Sequence, residues 1–339
     1  MSSGSVMSQG IDPALVGLIA VAVPTGPFAV AVSGGPDSAT LAVHAAHYAQ
    51  QAGVVMHLFH VHHGLQAAAD EWLHRVHDLG HQLRVACHSL RVSVDTDSGL
   101  GTEAAARQAR YDALHTLADK AGIETILLGH HRDDQAETVL LRLLRGAGPQ
   151  GLAAMAAQIQ RNGLTYIRPW LTVPRSHIAD LAAQYARATG WVPVQDPTNT
   201  DDRYTRSALR TRLAPVLNER WPAWRETVLR HASQNADNQA VLDEVARNDW
   251  AGLEPDALNE SFSLARWRQL SAPRQALVLR YWLASHGLPM PSQARLRELM
   301  KQLQTVHALG HDRDVCVRHA GSEIRCRKGR IALERLGKT

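Results

Sequence analysis

Cysteine is scarce in this 339-residue chain: Cys87, Cys316 and Cys326 are the only three, and no two form a C-x-x-C pair. Their number and spacing exclude a disulfide scaffold, a zinc ribbon and a thioredoxin-type redox motif, and fit a reducing cytoplasm. Positive charge is missing from the N-terminus, where the first Lys or Arg is Arg75. The uncharged run 13–32 therefore lacks the basic start of a signal peptide, and Pro24-Thr25-Gly26-Pro27 interrupts it too early for a membrane span. The run reads as a short helix, a turn and a buried strand in a soluble protein. The G-x-x-x-x-G-K-S/T loop of kinases and GTPases does not occur, nor does any internal repeat or low-complexity tract.

What is present is globular. Hydrophobic residues make up 45% and charged residues 20% of a chain long enough for two cored domains. The net charge of +4 is unevenly spread. Arginines cluster over 203–230 and basic residues over 311–339, as expected of surfaces that meet polyanions; solvated helix faces explain charge alone equally well. Five of the eight tryptophans lie between Trp221 and Trp282, which suits interhelical packing better than base stacking.

Up to about residue 200, apolar runs at 28–32, 54–60, 85–92, 125–129 and 164–168 alternate with helix-period segments at 39–51, 69–79, 102–121 and 134–145. Thr102 reads as an N-cap, and Gly80 and Gly122 as helix stops. Such alternation predicts an α/β fold: a doubly wound, parallel five-stranded sheet of order 3-2-1-4-5 with helices on both faces. Beyond it, 203–304 reads as almost wholly helical. The predicted division is a catalytic domain over 1–202 and a smaller, mainly helical domain over 203–339 that ends in a basic segment.

Ser33-Gly34-Gly35-Pro36-Asp37-Ser38 sits between the first strand and the following helix. Its glycines let backbone approach a ligand, the helix start offers unpaired N–H groups, and two serines add hydroxyls, which together make a phosphate cradle. Asp37 would repel phosphate unless a cation lay between them, so it points to Mg²⁺. A second group, Gly129-His130-His131-Arg132-Asp133-Asp134-Gln135-Ala136-Glu137-Thr138, follows the fourth strand. Asp134 and Glu137 share a helix face. With strands one and four adjacent at the switch point, cradle and cluster should face one crevice. His60, His62 and His63 end the second strand as a pocket wall, while Arg107 and Arg110, on the helix that also carries Glu103, are placed to hold phosphates. Gly146-Ala-Gly148-Pro-Gln-Gly151 fits G-x-G-x-x-G, but it follows a helix rather than a strand and reads as a helix stop.

SGGPDS after a first strand resembles the N-type ATP pyrophosphatases, or PP-loop superfamily. The ordered series SGGPDS, HVHHGLQ, GTEAAARQARY, LGHHRDDQAET, RGAGPQGL and QDPTNTDDRYTRSALR is similar to the tRNA(Ile)-lysidine synthetases. The resemblance implies an ATP- and Mg²⁺-dependent ligase of the cytoplasm that joins L-lysine to the wobble cytidine of tRNA(Ile) with a CAU anticodon. On that basis Ser33, Gly34, Gly35, Pro36, Asp37 and Ser38, with His60 and His62 nearby, hold ATP, and Asp37 engages the metal. His130 sits beside the adenylated base, Arg107 or Arg110 takes phosphate, and Asp134 with Glu137 holds lysine. The basic regions then contact tRNA phosphates. A homodimer is compatible with the sequence and not required by it. The family pattern Arg-Asn is here Arg206-Ser207, so Ser207 receives no role, and many members carry a further C-terminal domain that this chain is too short to include in full. Three alternatives stay open: a tRNA thiolase of the same superfamily, a metal-dependent hydrolase using His60, His62, His63, His130 and Asp134, and a non-catalytic RNA-binding protein.

Overall fold

The computed structural model describes residues 10–64, 68–94, 102–196, 201–258, 260–306 and 315–335. The side chains of Thr102, expected as a cap, and of Glu103 lie outside the described residues. Two compact units emerge, Met1–Ser233 and Gln234–Thr339. The first thus extends beyond residue 202, taking in the arginine-rich segment over 203–230.

The first unit begins with α1 (Pro13–Ala22), β1 (Phe28–Ala31), α2 (Pro36–Ala52), β2 (Met56–His62), α3 (Ala69–Leu83), β3 (Ala86–Arg91), α4 (Thr102–Ala121) and β4 (Thr125–Leu128). It continues through α5 (Arg132–Leu144), a single turn α6 (Pro149–Leu152), β5 (Gln158–Arg161), β6 (Leu164–Ile167) and α7 (Arg175–Thr189). Then come α8 (Thr205–Ala208), a π-helical turn over Leu209–Leu213, and α9 (Ala214–Arg220); α10 (Trp224–Gly252) crosses the boundary between the units. Gly80 does not stop α3, which continues to Leu83, because Leu79 and Leu83 both bury on the sheet side.

The sheet order is β3-β2-β1-β4-β6-β5. The predicted order of the five parallel strands holds, with β6 as the fifth. The sequence reading missed a sixth strand: β5 pairs antiparallel with β6 at the edge, and its Gln-Ile-Gln-Arg has too little apolar content to read as a strand. Strand alternation sends side chains to opposite faces. Phe28, Val30, Leu58 and Leu127 join α1, α2 and α7 in one core, while Ala29, Phe59, Ile126 and Leu128 join α4 in another. With both faces filled, the strand ends and the loops beyond them are where a ligand can be met.

The second unit is not purely helical. Helices α11 (Leu264–Gln269), α12 (Ala272–Ser285) and α13 (Gln293–Thr305) accompany β7 (Ser261–Ser263), β8 (Val315–His319), β9 (Ser322–Arg327) and β10 (Arg330–Arg335). These strands form an antiparallel sheet of order β7-β10-β9-β8. Trp267 and Trp282 are fully buried among its leucines, as the packing reading of the tryptophans requires. Trp221 is the exposed exception at 58%.

Candidate active site

The cradle lies where β1 hands over to α2. Gly34 has φ +92°, and a Cβ there would stand 3.0 Å from Val194 Cγ2, so both conformation and space call for glycine. Its carbonyl accepts the Val194 N–H at 2.8 Å, tying the loop after α7 to the cradle. The Ser33 N–H donates to Ser38 Oγ at 3.1 Å, and the Ser38 hydroxyl donates to the Gly35 carbonyl at 3.3 Å. These bonds hold the loop curved while the start of α2 remains available to an anion.

Parallel pairing of β1 with β4 brings the second cluster alongside. His131 caps α5: its Nδ1 accepts the Asp134 N–H at 3.2 Å, and Asp134 Oδ2 accepts the His131 N–H at 3.2 Å. This capping box turns His131 Nε2 toward the cradle, 3.7 Å from Asp37 Oδ2 and 3.4 Å from Asp134 Oδ2. Cradle and cluster are therefore neighbours, as the strand order led one to expect. Burial works to raise the Asp37 carboxyl, but the hydrogen bond and charge of His131, with Arg175 and Arg210, hold it below the usual carboxylate range. Asp37 stays ionised, and its buried Oδ1 has no hydrogen-bond partner among the described residues. A charged, partly unsatisfied carboxylate beside an anion cradle fits the demands of a divalent cation.

Adjacent histidines behave oppositely. Burial pushes His130 down to about 3, with Arg168, Arg107 and Arg110 acting in the same direction against Asp134. For His131, burial is more than offset by Asp37, Asp134 and Asp133, and its pKa rises. His130 is thus a neutral ring whose buried Nδ1 has no hydrogen-bond partner among the described residues. His63 resembles it, driven down to about 4 by burial and by Arg110. Arg107 and Arg110 are exposed on α4, and Arg107 donates to the Tyr111 hydroxyl at 3.3 Å. His60 and His62 have tasks within the fold: His60 Nδ1 lies 2.8 Å from the Val32 carbonyl, and His62 Nε2 lies 3.1 Å from Asp70.

Asp134 and Glu137 are buried side by side, and the structure adds a partner the sequence did not suggest. Arg210 spans both, with Nε 2.6 Å from Glu137 Oε1, Nη2 2.8 Å from Glu137 Oε2 and Nη2 3.0 Å from Asp134 Oδ1. Arg206 adds a contact at 3.5 Å to Glu137 and donates to Thr138 Oγ1 at 3.1 Å. The arginine run over 203–230 is in fact largely committed internally. Arg203 pairs with Asp201, Arg212 with Asp202 and Arg225 with Asp133. The signal that could have found this was the matching excess of carboxylates at 133, 134 and 137.

Residues 16–217 match the PP-loop domain family, and residues 262–332 match the TilS substrate binding domain. The tRNA(Ile)-lysidine synthase of Bordetella bronchiseptica is 57% identical over 306 residues, covering 90% of this chain and 89% of the relative. The chain belongs to the tRNA(Ile)-lysidine synthase family. That of Ralstonia nicotianae is 44% identical, over 93% of this chain and 66% of its own length. Among solved structures, a U34-tRNA thiolase from Methanococcus maripaludis, described with its 4Fe-4S cluster, superposes with a TM-score of 0.54 at 13% identity. The match covers 66% of this chain and 78% of that one, and it shows the shared fold alone.

Thiolase chemistry is not favoured by the residues here. Cys87 is the one cysteine of the first unit, and burial pushes its thiol up to about 11, away from the thiolate a nucleophile or cluster ligand needs. The hydrolase reading loses its ligands to the fold, since His60 and His62 are engaged elsewhere. Among the described residues no three His, Cys, Asp or Glu side chains form a metal-holding group. No helix among them is long and apolar enough to cross a membrane.

Proposed function

We infer that this protein uses ATP to adenylate the wobble cytidine of tRNA(Ile) with a CAU anticodon and joins L-lysine to it, releasing AMP and pyrophosphate. The observation that carries the reading is the meeting of the Ser33–Ser38 cradle with the His130–Glu137 cluster at the ends of β1 and β4, in a chain of this family. The cytidine C2 oxygen attacks the α-phosphate and pyrophosphate departs. The lysine ε-amine then attacks C2, and AMP leaves with the oxygen.

In this reading the cradle and the N-terminus of α2 orient the ATP phosphates. Mg²⁺, held through Asp37, would neutralise charge on the phosphates and the leaving pyrophosphate. Arg107 or Arg110 offsets charge developing at the phosphate. His130, neutral at working pH, presents its ring beside the base without adding a cation, as suits a hydrogen-bonding group rather than an imidazolium. Asp134 and Glu137 bind a lysine ammonium, and a cytoplasmic setting supplies ATP, lysine and tRNA together.

The test is incubation with ATP, Mg²⁺, labelled lysine and tRNA(Ile). Label in the RNA with stoichiometric AMP and pyrophosphate supports the reading. AMP and pyrophosphate without labelled RNA would overturn it.

A further inference from the structure

We propose that Arg210 is an internal stand-in for the substrate's ammonium, which incoming lysine displaces, so that lysine binding releases the 205–213 segment from α5. The proposal rests on the reading of Asp134 and Glu137 as the lysine site. Both oxygens of Glu137 and one of Asp134 face the Arg210 guanidinium at 2.6–3.0 Å. Arg206 adds a second cation at 3.5 Å. A lysine ammonium entering with Arg210 in place would make three cations on two buried carboxylates, and like charges so close repel strongly where water is excluded.

The carrier of Arg210 suits a release. It is a π-helical turn, Leu209–Leu213, between two short α-helical pieces. Such turns are rare, recur at functional sites and need only a local change of winding to move a side chain. Arg210 itself is 22% exposed while Glu137 is 7% exposed, so the guanidinium can leave toward solvent and the carboxylate stays behind. In the lysine-free enzyme the arginine keeps both carboxylates aligned and paired. Lysine therefore meets a formed site whose apparent affinity is reduced by the fraction of molecules that are latched.

The variant Arg210→Gln should lower the lysine KM by about tenfold, the factor expected if about a tenth of the lysine-free protein is unlatched. Its ATP KM should stay unchanged. Arg210→Lys, with a single-point cation, should fall between Gln and the wild type. In the wild-type protein, saturating L-lysine should speed hydrogen exchange of the amides over 205–213, a readout independent of whether any variant folds. A lysine KM that rises or does not move in a folded Arg210→Gln protein, or exchange over 205–213 that slows or stays constant with lysine, overturns the proposal. Glu137→Gln separates the two levels. If it leaves the lysine KM unmoved, the lysine-site reading fails and takes the latch with it. If it raises the KM while Arg210→Gln does not lower it, the latch alone fails.

Discussion

Gly129 and Ser38 are so close that a Cβ on Gly129 would lie 3.0 Å from Ser38 Cα and 3.1 Å from its N, with the Asp37 carbonyl at 3.2 Å. The contact fixes the spacing between the end of β4 and the cradle, hence between the His130–Glu137 cluster and the phosphates the cradle is proposed to hold. Because the opposing atoms are backbone, they cannot swing aside. Gly129→Ala should push the cradle off by a few tenths of an ångström and cost about 1–3 kcal/mol of stability. Misplacing reacting groups by less than an ångström can cost about tenfold or more in rate. Pyrophosphate release at saturating ATP and a urea melt measure the two effects. A variant with wild-type turnover would show that this contact does not set the geometry.

Asp37→Asn keeps the shape of the side chain and removes its charge. Loss of a group that stabilises developing charge through a cation should slow pyrophosphate release by about 100-fold or more. The melting temperature should fall as well, because the fold favours the ionised carboxylate through His131, Arg175 and Arg210. Retained turnover with unchanged Mg²⁺ dependence would remove the metal role from Asp37.

The candidate site was legible where local sequence determines it. SGGPDS declares itself because a strand, two glycines and a helix start are contiguous, and LGHHRDDQAET because it follows β4 directly. Adjacency of the two followed from the strand order. What was not legible depends on distant pairing. Arg210 lies far from Glu137 in sequence, and a run of arginines reports its sign but not the carboxylates that absorb it. The β5 edge and the β8–β10 sheet were missed for a related reason. Gln-rich or charged strands lack the apolar run that marks a buried one, and Glu323 and Arg325, within the basic segment over 311–339, are paired two residues apart on the ordered strand β9.

Glu137→Gln should raise the lysine KM by about tenfold or more with a smaller change for ATP, because it halves the negative charge available to an ammonium. The structure adds that the variant leaves Arg206 and Arg210 facing a neutral amide. Breaking one member of a buried charged pair costs about 3–5 kcal/mol, so the melting temperature should drop as well. Equal shifts in both KM values would argue against a lysine-specific role.

Acid should destabilise this protein before its carboxylates titrate. His130 and His63 bind a proton near 6.5 when unfolded but only at about 3 and about 4 when folded, chiefly through burial. Between those values the unfolded chain carries more protons, so stability falls as pH drops, by up to about 1.4 kcal/mol per pH unit for each group. Urea unfolding at a series of pH values from 7 to 4 reads the slope. His130→Gln should make it shallower by up to one proton, and an unchanged slope would mean that His130 titrates normally.

The outer face of the second unit's sheet offers the clearest test of RNA contact. On β9 and β10, Ile324, Cys326, Ile331 and Leu333 point into the core, so Glu323, Arg325, Arg327 and Glu334 share the other side. Arg318, 79% exposed, pairs with Glu323 at 3.1 Å, and Arg327 pairs with Glu334 at 3.3 Å. Arg327–Glu334 is a surface pair of the kind that contributes about 0–1 kcal/mol, and buried Glu323 keeps Arg325 as a partner if Arg318 swings away, so a phosphate can compete for either arginine. Replacing Arg318 and Arg327 together by Ala should leave the fold intact, weaken tRNA binding, and reduce the slope of log affinity against log salt by about one per arginine. If the double variant binds tRNA with the wild-type slope, the phosphates meet some other face of the protein.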